Sequence, residues 1–213
     1  MVLPMASSMI AVDGGEVRAD DSGGDGPPLV MLHPGVGDSR IWEPVLAPLA
    51  ARYRVIRYDA RGYVESPAPT AEFSLLRDLI AVLGHFGVAR AALVGCSQGG
   101  ASSLGLALAQ PERVSALVLL CPGIPGFPMT AEEETAMIGP DTAAEIQAGY
   151  TRAHSAGDVD ALAAVVQRIW GASGSTPAVL EQARSAALAS VSIGDLELEA
   201  FSCRPAETRC GCA

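Results

Sequence analysis

The pattern Gly95-Cys96-Ser97-Gln98-Gly99 is the feature that most restricts how this chain can fold. It stands between an apolar run typical of a buried strand, residues 91–95, and a small-residue stretch typical of a helix, residues 98–110. A sharp strand-to-helix turn strains the serine backbone and lifts the hydroxyl above the sheet, and flanking glycines avoid collisions with neighbouring backbone. The helix also directs its N-terminal amides at the serine, where they stabilise negative charge. We therefore predict that Ser97 is a nucleophile.

Apolar runs and helical repeats alternate around this motif. Runs typical of buried strands occupy residues 29–32, 53–58, 91–95 and 116–120. Helical patterns fill residues 39–51, 75–86 and 98–110, and residues 8–20 predict a hairpin around Asp13-Gly14-Gly15. Strands that alternate with helices indicate a parallel sheet with right-handed crossovers. The fold class predicted for residues 1–125 is therefore α/β, with a mostly parallel sheet and flanking helices.

The second part of the chain has a different pattern. A stretch rich in proline and glycine, residues 122–128, interrupts the alternation. From Thr130 to about Gly194 we expect three helical segments, broken at Gly157 and at residues 171–177. This pattern predicts a helical unit at residues 126–200 and an irregular tail at residues 201–213, with no strand in either.

Charge and hydropathy exclude several classes of function. The net charge of -10 over 213 residues repels phosphate backbones, so we expect no nucleic-acid partner. No apolar run approaches the roughly 18 residues of a membrane span, and residues 1–10 lack the basic and apolar regions of a secretory signal. We therefore expect a cytoplasmic protein without a membrane partner.

The five cysteines divide into two groups. Cys96 and Cys121 stand at the ends of apolar runs and are predicted to be small buried residues. Cys203, Cys210 and Cys212 crowd into the tail with a spacing that matches no paired zinc pattern. An odd number of cysteines without an export signal argues against a disulfide framework. We predict no metal and no cofactor.

Three motifs in order give the chain a family resemblance. Leu32-His33-Pro34-Gly35 and Asp59-Ala60-Arg61-Gly62 each follow a predicted strand, and the Ser97 turn comes third. With them the chain resembles the α/β-hydrolase superfamily, above all its small cofactor-free members such as 3-oxoadipate enol-lactonases, carboxylesterases and haloperoxidase-like hydrolases. The resemblance implies a serine hydrolase that cleaves small esters or lactones through an acyl-enzyme, and it implies that residues 126–200 form a helical cap.

The resemblance also assigns the groups that would stabilise an oxyanion. The backbone N–H of Gln98, the residue after the nucleophile, is one donor. The second is the N–H of Gly35, with Val36 as the neighbouring alternative. Pro34 stands where the family usually has glycine, but the donor belongs to the next residue, so the absence of an N–H on proline does not remove it.

Other residues of these loops have structural roles by the same resemblance. His33 matches a histidine that organises the oxyanion loop, and a role as general base is the alternative. Asp59 and Arg61 match the pair that ties down the following turn. Val64 stands where a second glycine is usual, and because β-branched residues tolerate positive φ poorly, we expect this loop to take a different route.

The acid and the histidine that such a serine requires are missing from their usual places. His154, in the helical part, is the only histidine after Ser97, and His85 precedes the strand that leads to it. After Pro205-Ala206-Glu207-Thr208-Arg209, where the family has two more strands, the sequence ends in Cys210-Gly211-Cys212-Ala213. We therefore expect a fold that lacks its last strands and turns over small esters or lactones poorly, and that self-associates through an exposed sheet edge. The alternative is an inactive member of the fold that binds a ligand or a partner.

Overall fold

The computed structural model describes residues 4–124, 130–171 and 176–193. The strands are β1 (Ala6–Val12), β2 (Gly15–Asp21), β3 (Pro28–Leu32), β4 (Arg54–Tyr58), β5 (Ala91–Cys96) and β6 (Val114–Leu120). The helices are α1 (Glu43–Ala50), α2 (Leu75–His85), α3 (Gln98–Ala109), α4 (Ala131–Ile138), α5 (Pro140–Ala156), α6 (Val159–Trp170) and α7 (Pro177–Ile193). The predicted tail, residues 201–213, lies outside the described ranges, and so do residues 125–129 at the predicted division of the chain.

The strands form one mixed sheet in the order β1-β2-β4-β3-β5-β6. Strands β3, β4, β5 and β6 are parallel to one another, and the β1–β2 hairpin joins them antiparallel through β2 and β4. The apolar runs of β3 and β5 lie in the middle because helices cover both faces of the sheet there. The predicted α/β fold and the hairpin are confirmed, with strand ends that differ by one or two residues.

Two hydrophobic cores lie on opposite faces of the sheet. On one face α2 and α3 pack against a cluster that includes Val30, Leu79, Leu93 and Leu106. On the other face the side chains of α1 and of the preceding turn pack over Met31 and Val55. This arrangement places the carboxyl ends of β3, β4 and β5, with the loops that follow them, at one end of the molecule.

Two predicted helix boundaries are wrong, and proline explains both. Residues 39–51 are not one helix: a 3₁₀ turn at Ser39–Trp42 precedes α1, since Pro44 in the first turn of α1 has no N–H with which to continue an α-helix from upstream. The helical part has four described helices where three segments were expected. Gly139 separates α4 from α5. Its backbone has φ 87 and ψ 147, a conformation that residues other than glycine rarely adopt, and Pro140 is the first residue of α5.

The helices after residue 130 pack on the loops at the carboxyl end of the sheet. The alanine-rich face of α7 lies against the β4–α2 loop, where Ala186 and Ala189 contact Tyr63 and Phe73. A second cluster joins α5, α6 and α7 to Val36 of the β3–α1 loop. Ion pairs Glu145–Arg168 and Asp160–Arg184 connect the three helices to one another. Within the described ranges, none of the helices has the length and apolar character that crossing a bilayer requires.

The prediction that Cys96 and Cys121 are both buried is wrong. Cys96 is half-buried and Cys121 is exposed. The reason is the position of β6, which forms the edge of the described sheet and leaves Val118 and Leu120 exposed by 48% and 43%. An apolar run alone does not distinguish a central strand from an edge strand.

Candidate active site

Ser97 occupies the turn between β5 and α3 in a strained conformation. Its φ is 47 and its ψ is -112, a region in which residues other than glycine are rare. The Ser97 N–H donates to the carbonyl of Leu120 across 2.9 Å. The Ser97 carbonyl accepts from the N–H groups of Ala101 at 2.9 Å and Gly123 at 3.1 Å. Hydrogen bonds to β6, to α3 and to the loop after β6 therefore hold the serine backbone in this conformation.

The glycines on either side of Ser97 are required by close packing. A methyl group on Gly95 would lie 2.6 Å from the Ser103 hydroxyl oxygen, and one on Gly99 would lie 2.6 Å from the Leu32 Cβ. Such separations are far below van der Waals contact, so α3 approaches β3 this closely only because residue 99 has no side chain. The predicted collision of flanking side chains with their neighbours is confirmed.

The loop after β3 brings Gly35 against the side chain of Gln98. Gly35 is adjacent to Gln98, since a methyl group on Gly35 would lie 2.9 Å from the Gln98 side-chain oxygen. Gln98 is the first residue of α3, so its backbone N–H has no helical partner. Pro34 accepts a hydrogen bond from the Gly37 N–H at 3.2 Å, which forms a tight turn around Gly35. The Pro34 carbonyl thus shapes the loop.

His33 connects this loop to the one after β4. Its Nε2 accepts a hydrogen bond from the Ala60 N–H at 2.9 Å, which leaves the proton of a neutral ring on Nδ1. Nδ1 lies 2.8 Å from the Pro34 carbonyl oxygen, to which it donates. The ring is buried and both nitrogens are occupied. His33 therefore organises the loop and has no free nitrogen that could accept a proton from Ser97.

Asp59 and Arg61 hold the β4–α2 loop, each through a partner of its own. Asp59 accepts from the Ser39 N–H at 2.8 Å, and burial raises the pKa of its carboxyl. Arg61 donates to both carboxylate oxygens of Asp78 on α2, at 2.7 and 2.9 Å. Burial raises the pKa of Asp78 above its ordinary value, and the hydrogen bonds and charge of Arg61 oppose that increase. The two residues fix the loop to its neighbours, as the resemblance implied.

The expectation for Val64 is wrong. Val64 adopts φ 48, the region that favours glycine, so the loop keeps the backbone conformation that we expected it to avoid. Hydrogen bonds on either side impose it: the Ser66 N–H donates to the Tyr63 carbonyl at 2.9 Å, and the Gly62 N–H lies 3.1 Å from the Ser66 carbonyl. The Val64 side chain is 47% exposed, so no packed neighbour adds to the strain of this conformation.

Sequence reasoning missed Tyr63. Its hydroxyl donates to the Gly35 carbonyl at 2.8 Å, and its ring packs edge-on against His33 with centroids 4.8 Å apart. Burial raises the pKa of Tyr63, so the hydroxyl stays protonated and remains a donor. The only signal in the sequence was its position directly after the Asp59–Gly62 motif.

A cavity of about 640 Å³ lies between the β3–α1 loop and helices α6 and α7. Its walls are mostly apolar and include Pro34, Val36, Ile41, Val166, Trp170 and Val179. Arg40 and Glu181 form an ion pair of 3.0 Å at this cavity. Gln182 of α7 reaches the same loop, because a methyl group on Gly37 would lie 3.0 Å from its side-chain oxygen.

Neither described histidine side chain is placed to act as a general base for Ser97. His33 is occupied as above, and His85 is exposed in the last turn of α2, at the far end of β5. Since a strand rises about 3.3 Å per residue, roughly 20 Å separates His85 from Ser97. His154 belongs to α5, and its side chain lies outside the described part of the structure.

Comparison with known proteins identifies the family. The model for the alpha/beta hydrolase fold matches residues 27–175. The chain therefore belongs to the alpha/beta hydrolase fold family. The match includes the loops that carry Gly35, Asp59 and Ser97.

Individual relatives are similar over part of their length. A 2-hydroxymuconate semialdehyde hydrolase of Pseudomonas sp. strain CF600 is 37% identical over 135 residues, which are 60% of this chain and 47% of that protein. Carboxylesterase CesB of Bacillus subtilis superposes with a TM-score of 0.69 at 21% identity, over 91% of this chain and 66% of that one. The enol-lactonase of Burkholderia xenovorans LB400 superposes with a TM-score of 0.55 at 24% identity, over 87% of this chain and 75% of that one. The matches to curated relatives span about a third to a half of those proteins.

Proposed function

We propose that this chain carries the nucleophile of a hydrolase that cleaves small esters or lactones through an acyl-serine intermediate, with Ser97 as that nucleophile. The observation that carries the proposal is the backbone of Ser97, which has φ 47 at the turn from β5 to α3. Strained conformations of this kind persist where the surrounding structure enforces them, and they concentrate at active sites. The names of the relatives, a semialdehyde hydrolase, a carboxylesterase and an enol-lactonase, support the same class of reaction.

In the proposed reaction, the Ser97 Oγ attacks the carbonyl carbon of an ester or lactone and loses its proton to a base. The carbonyl oxygen becomes negatively charged, and the backbone N–H groups of Gln98 and Gly35 donate to it. The intermediate then collapses and expels the alcohol, which takes up a proton, and leaves an ester on Ser97. Water hydrolyses that ester in a second addition and elimination.

The surroundings of Gly35 support its role as a donor. The Tyr63 hydroxyl and the His33 ring hold the carbonyls of Gly35 and Pro34, so the peptide groups of this loop have a fixed orientation. Fixed donors need no reorganisation when charge develops on the substrate, which is the condition under which an oxyanion hole is effective. We further propose that α4–α7 act as the cap, and that the apolar cavity between the β3–α1 loop and helices α6 and α7 receives the acyl or alcohol group, because its wall includes Pro34 and Val36 on either side of Gly35.

The proposal includes impaired turnover by these 213 residues. Serine is a weak nucleophile without an adjacent base, and neither His33 nor His85 is placed to provide one. The amides alone still accelerate acylation, since residual rates of about 10³-fold over water persist in other serine hydrolases that lack triad members.

Labelling with a fluorophosphonate tests the proposal. We expect slow, stoichiometric modification of Ser97, identified by mass spectrometry, and none in the Ser97→Ala variant. Added imidazole should accelerate the labelling, because it can accept the proton of the Ser97 hydroxyl. Ser102→Ala is the matched control, since Ser102 lies on α3 with its hydroxyl bonded to the Gln98 carbonyl at 3.2 Å. Modification of Ser102 or Ser103 with Ser97 untouched would contradict the assignment, and no labelling at all would favour the inactive binding protein.

A further inference from the structure

Two cysteines lie near Ser97 at the ends of neighbouring parallel strands. Cys96 ends β5 directly before Ser97, and it pairs in register with Leu120, the last residue of β6. Cys121 follows Leu120. Neighbouring strands lie roughly 4.8 Å apart and one residue advances a strand by roughly 3.3 Å, so roughly 6 Å separates the two α carbons. Disulfides typically join residues whose α carbons are about 4.4–6.8 Å apart.

The backbone fixes Cys121 against the serine turn. The Leu120 carbonyl accepts from the Ser97 N–H at 2.9 Å, and the Gly123 N–H donates to the Ser97 carbonyl at 3.1 Å. Cys121 lies between these two hydrogen bonds, and its φ of 45 turns the chain away from the direction of β6. The strand pairing and both hydrogen bonds therefore keep residues 120–123 close to the residue that precedes Ser97.

The two thiols differ in access to solvent. Cys121 is exposed, so an oxidant in solution can reach it, whereas Cys96 is half-buried. Burial raises the pKa of the Cys96 thiol, and the neighbouring Cys121 raises it further. An exposed thiol with a less accessible second thiol nearby is the arrangement of many redox-sensitive cysteine pairs.

We propose that Cys96 and Cys121 form a reversible disulfide, with a peroxide as oxidant, that controls the reactivity of Ser97. The Cys121 thiolate attacks one oxygen of hydrogen peroxide, breaks the O–O bond and becomes a sulfenic acid, while hydroxide leaves and is protonated to water. The Cys96 sulfur then attacks the Cys121 sulfur and loses its proton, and the sulfenic oxygen leaves as a second water. Two thiols lose two electrons and one peroxide gains them. A thiol reductant reverses the reaction.

The disulfide would connect the residue before Ser97 to the loop that holds the Ser97 carbonyl. Closing it constrains the backbone at Cys96 and Cys121 to the geometry of a disulfide, and because the Ser97 backbone is bonded to both segments, we expect the hydroxyl to move relative to the amides of Gln98 and Gly35. Displacement of a catalytic group by 1 Å can cost about 10²-fold in rate. We therefore expect the oxidised chain to react with a fluorophosphonate at least about tenfold more slowly. This effect on Ser97 rests on the proposed function, whereas formation of the disulfide does not.

Peptide mapping of the full chain tests the disulfide without any substitution at either cysteine. Trypsin cleaves after Arg90, Arg113 and Arg152, so Cys96 and Cys121 fall into separate peptides, 91–113 and 114–152. After treatment with equimolar peroxide, we expect these two peptides to be joined in the monomer and to separate again on reduction. Replacing Cys203, Cys210 and Cys212 with serine should leave this product unchanged. In that background, Cys96→Ser should leave a sulfenic acid at Cys121 that dimedone traps. Peptides that remain separate, or that join only between two chains, would overturn the proposal.

Labelling rates separate this inference from the proposed function. We expect peroxide to slow the modification of Ser97 and a thiol reductant to restore the original rate, with no effect of peroxide in the Cys121→Ser variant. If the two peptides are joined but the rate of Ser97 labelling is unchanged, the proposed effect of the disulfide on Ser97 would be overturned. No labelling of the fully reduced chain would count against the nucleophile and would leave the disulfide result standing.

Discussion

The Nε2 of His33 accepts a hydrogen bond from the backbone N–H of Ala60 across 2.9 Å, and this contact joins the loops after β3 and β4. The Nδ1 of the same ring is bonded to the Pro34 carbonyl at 2.8 Å. One buried side chain therefore determines where Gly35 lies relative to the turn that contains Asp59 and Arg61. The histidine that might be mistaken for a base is a positioning residue.

Replacement of His33 by phenylalanine removes both hydrogen bonds and keeps a ring of similar size. We expect the free energy of unfolding to fall by at least about 2 kcal/mol, because the buried Ala60 N–H and Pro34 carbonyl lose their partners. Chemical denaturation measures this loss. His85→Phe is the control, since His85 is exposed, and it should change the stability by less than about 0.5 kcal/mol. Equal effects of the two substitutions would contradict the role assigned to His33.

Gly99 and Gly84 make a matched pair of glycines on neighbouring helices. We expect Gly99→Ala to destabilise the fold by about 3 kcal/mol, because its methyl group would lie 2.6 Å from the Leu32 Cβ in a packed interior. Gly84→Ala on α2 should instead raise the stability by up to about 1 kcal/mol, since nothing lies within 4 Å of its methyl group and alanine is the better helix former. Thermal unfolding of both variants checks the opposite signs.

Val64→Gly should stabilise the protein, although it removes a side chain. Release of the backbone strain at φ 48 should raise the free energy of unfolding by about 1–3 kcal/mol. Glycine is more flexible than valine in the unfolded chain, which offsets part of this increase, so we expect a net gain of about 1 kcal/mol. Val45→Gly is the control at similar exposure, 41% against 47%, but within α1, where it should lower stability. Denaturant midpoints compare the two, and a loss of stability in the Val64 variant would mean that its backbone is not strained.

Asp38 should contribute stability that disappears in acid. Burial by itself would raise the pKa of Asp38. Arg40 outweighs burial, because its side chain and its backbone N–H both donate to the carboxylate and its guanidinium is positively charged, so the pKa lies below its ordinary value. Because the pKa of Asp38 is lower in the folded state, its contribution to the free energy of unfolding is complete at a pH above the pKa in the unfolded chain, about 3.9. The contribution is lost as the pH falls through the pKa in the folded state. We expect Asp38→Asn to cost about 1–2 kcal/mol at pH 7, a difference that shrinks below about pH 4.

The control for Asp38 uses the second acid that pairs with Arg40. Glu181 is 70% exposed, so Glu181→Gln should change the unfolding free energy little at any pH. Denaturation from pH 7 to pH 3 measures both variants against the parent chain. A cost for Asp38→Asn that is the same at pH 7 and pH 3 would show that Arg40 does not lower the pKa of this carboxyl.

We predict self-association of the 213-residue chain through β6. This strand carries no charged side chain, and the side of its backbone away from β5 has no strand partner among the described residues. Exposed apolar edges of this kind pair with other chains. Val118→Lys should reduce the average mass measured by sedimentation velocity at increasing concentration, whereas Val45→Lys, on the exposed side of α1, should not. A monomer at all concentrations would argue against this interface.

The sequence by itself determined the local features of this protein. Period and composition located β3, β5 and α3, the hairpin, and the turn at Ser97, because each depends on residues within one strand or helix and on glycines whose positions are visible in the sequence. The family resemblance assigned Gly35 and Gln98 to one site, and the structure places Gly35 next to the Gln98 side chain.

Only the tertiary structure decided which residues those local elements meet. The hydrogen bond from Ala60 to His33 spans 27 residues and the one from Tyr63 to Gly35 spans 28, and no periodicity records such pairs. The exposure of Cys121 depends on the neighbours of β6, and the positive φ of Val64 depends on hydrogen bonds within its loop that the residue type does not predict. Hydrogen bonds around a loop can impose a conformation that the residue itself disfavours, and the neighbours of a strand, which are distant in sequence, determine whether its side chains are buried.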